Sequence, residues 1–118
     1  MKKFFRGFKY AFSGLVAATK SECNMRFHLC ATVCVVVAGF VFCISAAEWL
    51  AVLLCCGMVV GAEMLNTAIE KLADAVEPDQ NERIKFVKDA AAGGVLACAI
   101  AAACVGLIIF VPKIIALF

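Results

Sequence analysis

The run WLAVLLCCGMVVGAEMLNTAIEKLAD, Trp49 to Asp74, passes from apolar residues to Glu63, Asn66, Glu70 and Asp74 with no turn between them. Trp49 to about Leu65 nears the ~20 residues that carry a helix across a hydrocarbon core ~30 Å thick. At ~100° per residue the four polar side chains fall at roughly 0°, 300°, 340° and 20°, a single face about 80° wide. One helix is therefore expected to leave the apolar region carrying a polar stripe. A carboxylate at that depth is costly unless it is partnered or used.

The rest of the chain fits that reading. Of 118 residues, 65% are apolar, and the mean hydropathy is +1.01, well above a soluble domain, where about 45–50% of residues are apolar. Two further runs, Phe27 to Ala47 and Ala90 to Val111, have spanning length. The fold class expected is an all-α membrane protein, a single membrane-embedded domain over 1–118 with spans at 27–47, 49–65 and 90–111. The first run follows a segment rich in Phe, Lys and Arg without a convincing small-residue cleavage site, so it is read as a retained span and not a signal peptide.

Charge sets the orientation. Lys2, Lys3, Arg6, Lys9, Lys20 and Arg26 precede the first span, and Lys71, Arg83, Lys85 and Lys88 fall between the second and third. The positive-inside rule puts both regions in the cytoplasm and the C-terminus outside, as for a bacterial inner-membrane protein. Within residues 2–20, Phe4, Phe5, Phe8, Phe12, Leu15 and Val16 share one helical arc opposite Lys2, Arg6, Lys9, Ser13 and Lys20. That pattern predicts a basic amphipathic helix lying in the interface. Residues 77–88, with Pro78, Asp79 and Asn81, read as the one real loop, on the cytoplasmic side. Trp49 reads as an outer-interface anchor, and Gly57 with Gly61 as a GxxxG that permits close packing.

The eight cysteines lie almost wholly inside the spans without a CxxC pair, so they read as small apolar residues. The net charge of +2 is concentrated beside the membrane and suits anionic headgroups or phosphates; nucleic acid is not an expected partner.

By topology Glu22, before the first span, and Lys88 with Asp89, at the start of the third, share the depth of the stripe. Carboxylates near water hold Mg²⁺, whose remaining shell comes from waters and substrate phosphates. A lysine adds a point charge for polyphosphate, and a further, partly desolvated carboxylate can take the proton of a hydroxyl arriving from the lipid side. Together these describe phosphoryl transfer to an amphiphile. There is no GxxxxGK[ST] and no Gly-rich kinase loop. A small ion or drug transporter would want its acid near the midplane, and a non-catalytic assembly subunit leaves the one-sided stripe unexplained.

The segments AEMLNTAIEKLAD and VKDAAAGGVL, with KYAFSGLVAATKSECNMRFHL upstream, closely resemble the bacterial diacylglycerol kinase and undecaprenol kinase family. The resemblance covers nearly the whole chain and rests on ExxNTAIE with KDxAAG. It implies a homotrimer of three-span subunits with an N-terminal surface helix, active sites shared between subunits, and ATP- and Mg²⁺-dependent phosphorylation of a membrane lipid alcohol. Carried over to this chain, it implies Glu63 as base, Glu22 and Glu70 as metal carboxylates, and Asn66 and Asp74 in support. Lys88, Asp89 and Tyr10 would meet the nucleotide, as would Asp79 and Asn81, although the loop PDQNERIKF departs from the histidine-bearing loop of many relatives. The segment ECNMRFHL is similar to the undecaprenol kinase branch.

Overall fold

Short signals at helix ends divide this chain. Glu22, extended at φ −116° and ψ 119°, separates α1 (Lys2–Ser21) from α2 (Cys23–Val41). The junction is braced from α2: Nη1 of Arg26 donates to the carbonyls of Thr19 and Lys20, each at 3.0 Å. A cation thus satisfies carbonyls that the end of α1 leaves without intrahelical partners.

At its other end α2 stops at Val41, where Ile44 N–H donates to Gly39 O at 3.2 Å and Cys43 N–H to Phe40 O at 3.3 Å. This pair of bonds is a Schellman ending, with Cys43 in the left-handed position at φ 50°. Ser45 then caps α3 (Ala46–Val76): its hydroxyl accepts from Glu48 N–H at 3.2 Å while Glu48 Oε1 accepts from Ser45 N–H at 2.9 Å. The run expected as one span from Phe27 to Ala47 therefore breaks at Phe42. The reason is a capping box, S-x-x-E, legible at Ser45 to Glu48.

The computed structural model describes residues 1–79 and 81–118; Gln80, in the loop expected at 77–88, lies outside the described residues. Pro78 disfavours helix at Glu77, which is extended at φ −145°. Asn81 Oδ1 accepts from Ile84 N–H at 2.9 Å and starts α4 (Glu82–Ile115). Glu82 to Lys88, expected as loop, is instead the opening of α4.

Among the described residues the fold is all-helical, and α2, α3 and α4 are each long and apolar enough to cross a membrane. Helix α3 is central: it packs most extensively along α4, less along α2, and meets α1 near Met64. A small core of Ile44, Val52 and Ile109 lies toward the α2–α3 turn, with Phe42 and Phe110 ring to ring at 6.0 Å. The ring of Trp49 crosses Gly39 so closely that a Cβ there would stand 2.6 Å from it, and it packs on Phe40 at 4.9 Å. Large apolar side chains such as Phe40, Leu54, Leu65, Leu96 and Ile108 face outward, a surface suited to acyl chains or to neighbouring chains rather than water.

Candidate functional site

Helix α3 has 31 residues, about 46 Å at 1.5 Å per residue, so it overshoots a ~30 Å hydrocarbon core. Glu63 stands about 21 Å along the axis from Trp49 and Asp74 about 38 Å. The stripe thus begins inside the apolar layer and climbs out of it.

Glu63 is the most enclosed charged residue, 2% exposed, with Asn66 and Thr67 also buried. Asn66 Nδ2 donates to Glu70 Oε1 at 3.2 Å, one turn on. Its Oδ1 and the hydroxyl of Thr67 are buried without a hydrogen-bond partner among the described residues. Two adjacent orphaned polar atoms beside a buried carboxylate are unusual, because buried polar groups are ordinarily satisfied. Thr67 sits at about 40° on the same helical arc as the stripe, although charge patterning alone does not single it out.

Neighbouring helices bring the other charges in. Glu22, at the α1–α2 junction, reaches Lys71 Nζ on α3 at 3.7 Å, which sets it at the level of Glu70. Lys88, from the second turn of α4, bonds Asp74 Oδ1 and ties α4 to the upper stripe. From α2, His28 Nε2 comes to 3.7 Å from Glu63 Oε2. His28 too was missed as a site residue, although it is the chain's one histidine and lies less than two turns beyond Glu22.

The structure does not gather every expected residue. Asp89 pairs along its own helix with Lys85 at 2.6 Å and is exposed. Tyr10 is 69% exposed on α1. Asn81 commits its side-chain oxygen to capping α4, and the Asp79 N–H donates to Glu77 in the loop. Glu22, Glu63, Asn66, Glu70, Asp74 and Lys88 are the residues that converge. No three carboxylate, imidazole or thiol groups among the described residues form a ready-made metal cage, and the eight cysteines are unpaired.

Below the stripe an apolar cavity of about 300 Å³ runs between α2 and α4 over α3, from Phe27 and His28 past Val52 and Val59 to Val105 and Gly106. His28 lines the upper end of this cavity and stands 3.7 Å from Glu63, so the lowest carboxylate of the stripe lies beside the cavity's end.

Residues 9–110 match the family described as prokaryotic diacylglycerol kinase. The chain is 36% identical over 114 residues to an undecaprenol kinase of Bacillus subtilis, covering 97% of this chain and 93% of that protein. It is 35% identical over 111 residues to a diacylglycerol kinase of Synechocystis sp., covering 93% of this chain and 63% of that longer relative.

Proposed function

This chain belongs to the prokaryotic diacylglycerol kinase family, and from that premise we propose that it is a multi-pass membrane lipid kinase that moves the terminal phosphoryl group of ATP onto the hydroxyl of undecaprenol or a related lipid alcohol at the cytoplasmic face of the inner membrane. The observation that carries this reading is the enclosed Glu63 at the meeting of the polar stripe and the apolar cavity. An amphiphile whose chain lies among apolar residues presents its hydroxyl at that boundary.

Glu63 accepts the hydroxyl proton as the lipid oxygen attacks phosphorus and ADP leaves, so the general base acts where water is scarce. Lys88 supplies positive charge to the polyphosphate, with Asp74 holding its ammonium in place. Asn66 orients Glu70 through its amide.

The donor set fits a divalent cation. Glu22 and Glu70 are the carboxylates that would hold Mg²⁺, and Asn66, whose amide bonds Glu70, keeps a buried Oδ1 without a partner among the described residues. When bound, Mg²⁺ neutralises phosphate charge, and it needs only one or two protein carboxylates. Lys71 now pairs with Glu22 from a largely exposed position, and a pair of that kind is worth at most about 1 kcal/mol, so it yields to a cation.

Helix α1 lies in the cytoplasmic interface, its Phe side chains among acyl chains. The assembly is a homotrimer with shared sites. Supporting this are the exposed positions of Tyr10 and Asp89, which a neighbouring copy could meet, and the open space beside Gly57 and Gly61. Co-assembly of Glu63→Gln with Asp89→Asn subunits should restore part of the lost activity, because Asp89 stands apart from its own chain's site, and mixed oligomers that stay inactive would place the whole site in one chain.

The deciding experiment offers purified enzyme undecaprenol and diacylglycerol together in mixed micelles with labelled ATP and Mg²⁺. Phosphorylated undecaprenol should dominate, in keeping with the relative of which 93% is covered. Label in neither lipid would overturn the kinase reading, and label chiefly in diacylglycerol would overturn the substrate.

A further inference from the structure

The geometry points to His28 as the residue that orients Glu63. The inference rests on the proposed role of Glu63 as base, and it concerns a contact between helices rather than the stripe itself.

A glutamate carboxylate has two equivalent oxygens and three side-chain torsions. If it is to take a proton from an incoming hydroxyl, one oxygen must face the substrate and the torsions must be held, because a misplacement of about 1 Å can cost ~10²-fold in rate. Neighbours on α3 supply little of that restraint: the Asn66 amide lies near Glu63 but makes its 3.2 Å hydrogen bond to Glu70, and the Thr67 hydroxyl has no hydrogen-bond partner among the described residues. Among the described residues, His28 is the only basic side chain at ion-pair distance from Glu63. Its Nε2 faces Oε2 at 3.7 Å from a different helix, which leaves Oε1 as the acceptor for the lipid hydroxyl. The separation exceeds a hydrogen bond, as is common before substrate binds, and small side-chain rotations close it.

The imidazole is itself held. Its side chain is mostly buried, the ring of Phe27 meets it edge-on at 5.6 Å, and it forms the upper end of the apolar cavity. Thr32, the other polar residue lining that cavity, bonds the His28 backbone carbonyl at 2.8 Å, so the ring is free to serve Glu63. His28 is a positioning residue: it touches the base and not the reacting atoms.

Two substitutions separate positioning from packing. In His28→Gln the side-chain nitrogen can reach the place of Nε2, whereas in His28→Asn it falls short by a bond. Turnover per bound nucleotide should stay near wild type in the Gln variant and drop by up to about 10²-fold in the Asn variant, with KM for Mg·ATP unchanged in both. Equal turnover in the two variants, or a rise in KM that accounts for the loss, would overturn the assignment.

A second measurement stands even if neither variant assembles. With one histidine in the chain, ¹⁵N-histidine labelling reports a single imidazole, and Glu63→Gln should shift its Nε2 resonance in assembled enzyme. An unmoved resonance would show that the two groups do not interact. Failure of the base reading is distinguishable: it would appear as Glu63→Gln enzyme phosphorylating lipid at the wild-type rate, whatever His28 does.

Discussion

The start and the middle of α3 treat their polar groups in opposite ways. At the start, the polar side chains of Ser45 and Glu48 find local partners: they cap one another, and Glu48 pairs with Lys113 from the last turn of α4 at 3.1 Å, while the ring of Trp49 lies close against Gly39. Near the middle of the helix, Glu63 is sealed off with a histidine at ion-pair distance, and two neighbouring polar atoms have no hydrogen-bond partner among the described residues. The first region pairs its side chains within the chain. The second buries polar atoms without partners among the described residues, which costs stability that the first does not bear. The proposed function assigns that cost to a site.

The sharpest break of this comparison is at Glu63. Replacement by Gln keeps shape and removes the proton acceptor, so lipid phosphorylation should fall by roughly 10²–10⁴ while Mg·ATP binding persists by calorimetry. Equal losses in binding and rate would move Glu63 from base to metal ligand.

Next come Glu22→Gln and Glu70→Gln, which each remove an anionic oxygen from the proposed metal carboxylates. Turnover should fall in both and the Mg²⁺ midpoint rise by about tenfold or more. A variant with wild-type turnover and an unmoved midpoint would take that residue out of the metal set.

The anchoring end should respond differently. Lys113→Met removes an ion pair near the membrane surface, where such pairs contribute little, so turnover should stay within about twofold of wild type. A large loss of activity would mean that the two regions are coupled through α3 and α4, and the contrast drawn between them would fail.

The smallest effect is expected at Cys43, whose left-handed backbone costs a non-glycine residue about 1–2 kcal/mol. Cys43→Gly should stabilise the protein by up to about 1 kcal/mol, less the added freedom of the unfolded chain, as read from reversible unfolding in detergent. Activity should not change, because the turn lies at the end away from Glu63.

Local rules made much of this legible. The apolar runs disclosed the spans because a helix across lipid must satisfy its own backbone, and little besides length and hydropathy is then needed. The stripe on α3 followed from the helical repeat alone. The boundaries were less legible where a cap overrode hydropathy: Ser45 and Cys43 break an apolar run that reads as continuous, and Asn81 turns a charged segment into helix. Thr67 was within reach of the same periodicity, but a threonine inside a helix ordinarily bonds the carbonyl one turn back and so gives no polar signal.

By itself the sequence determined the number of long apolar helices, the face on which the acids sit and, through ExxNTAIE and KDxAAG, the family. All of these depend on residues close together in the chain. Only the tertiary structure decided that Glu22 meets Lys71, that Lys88 meets Asp74 rather than joining Asp89, and that His28 faces Glu63. Those pairings depend on how far one helix slides and turns against another. That register is set by side-chain packing and by the exact ends of the helices, which no periodic pattern within one helix records.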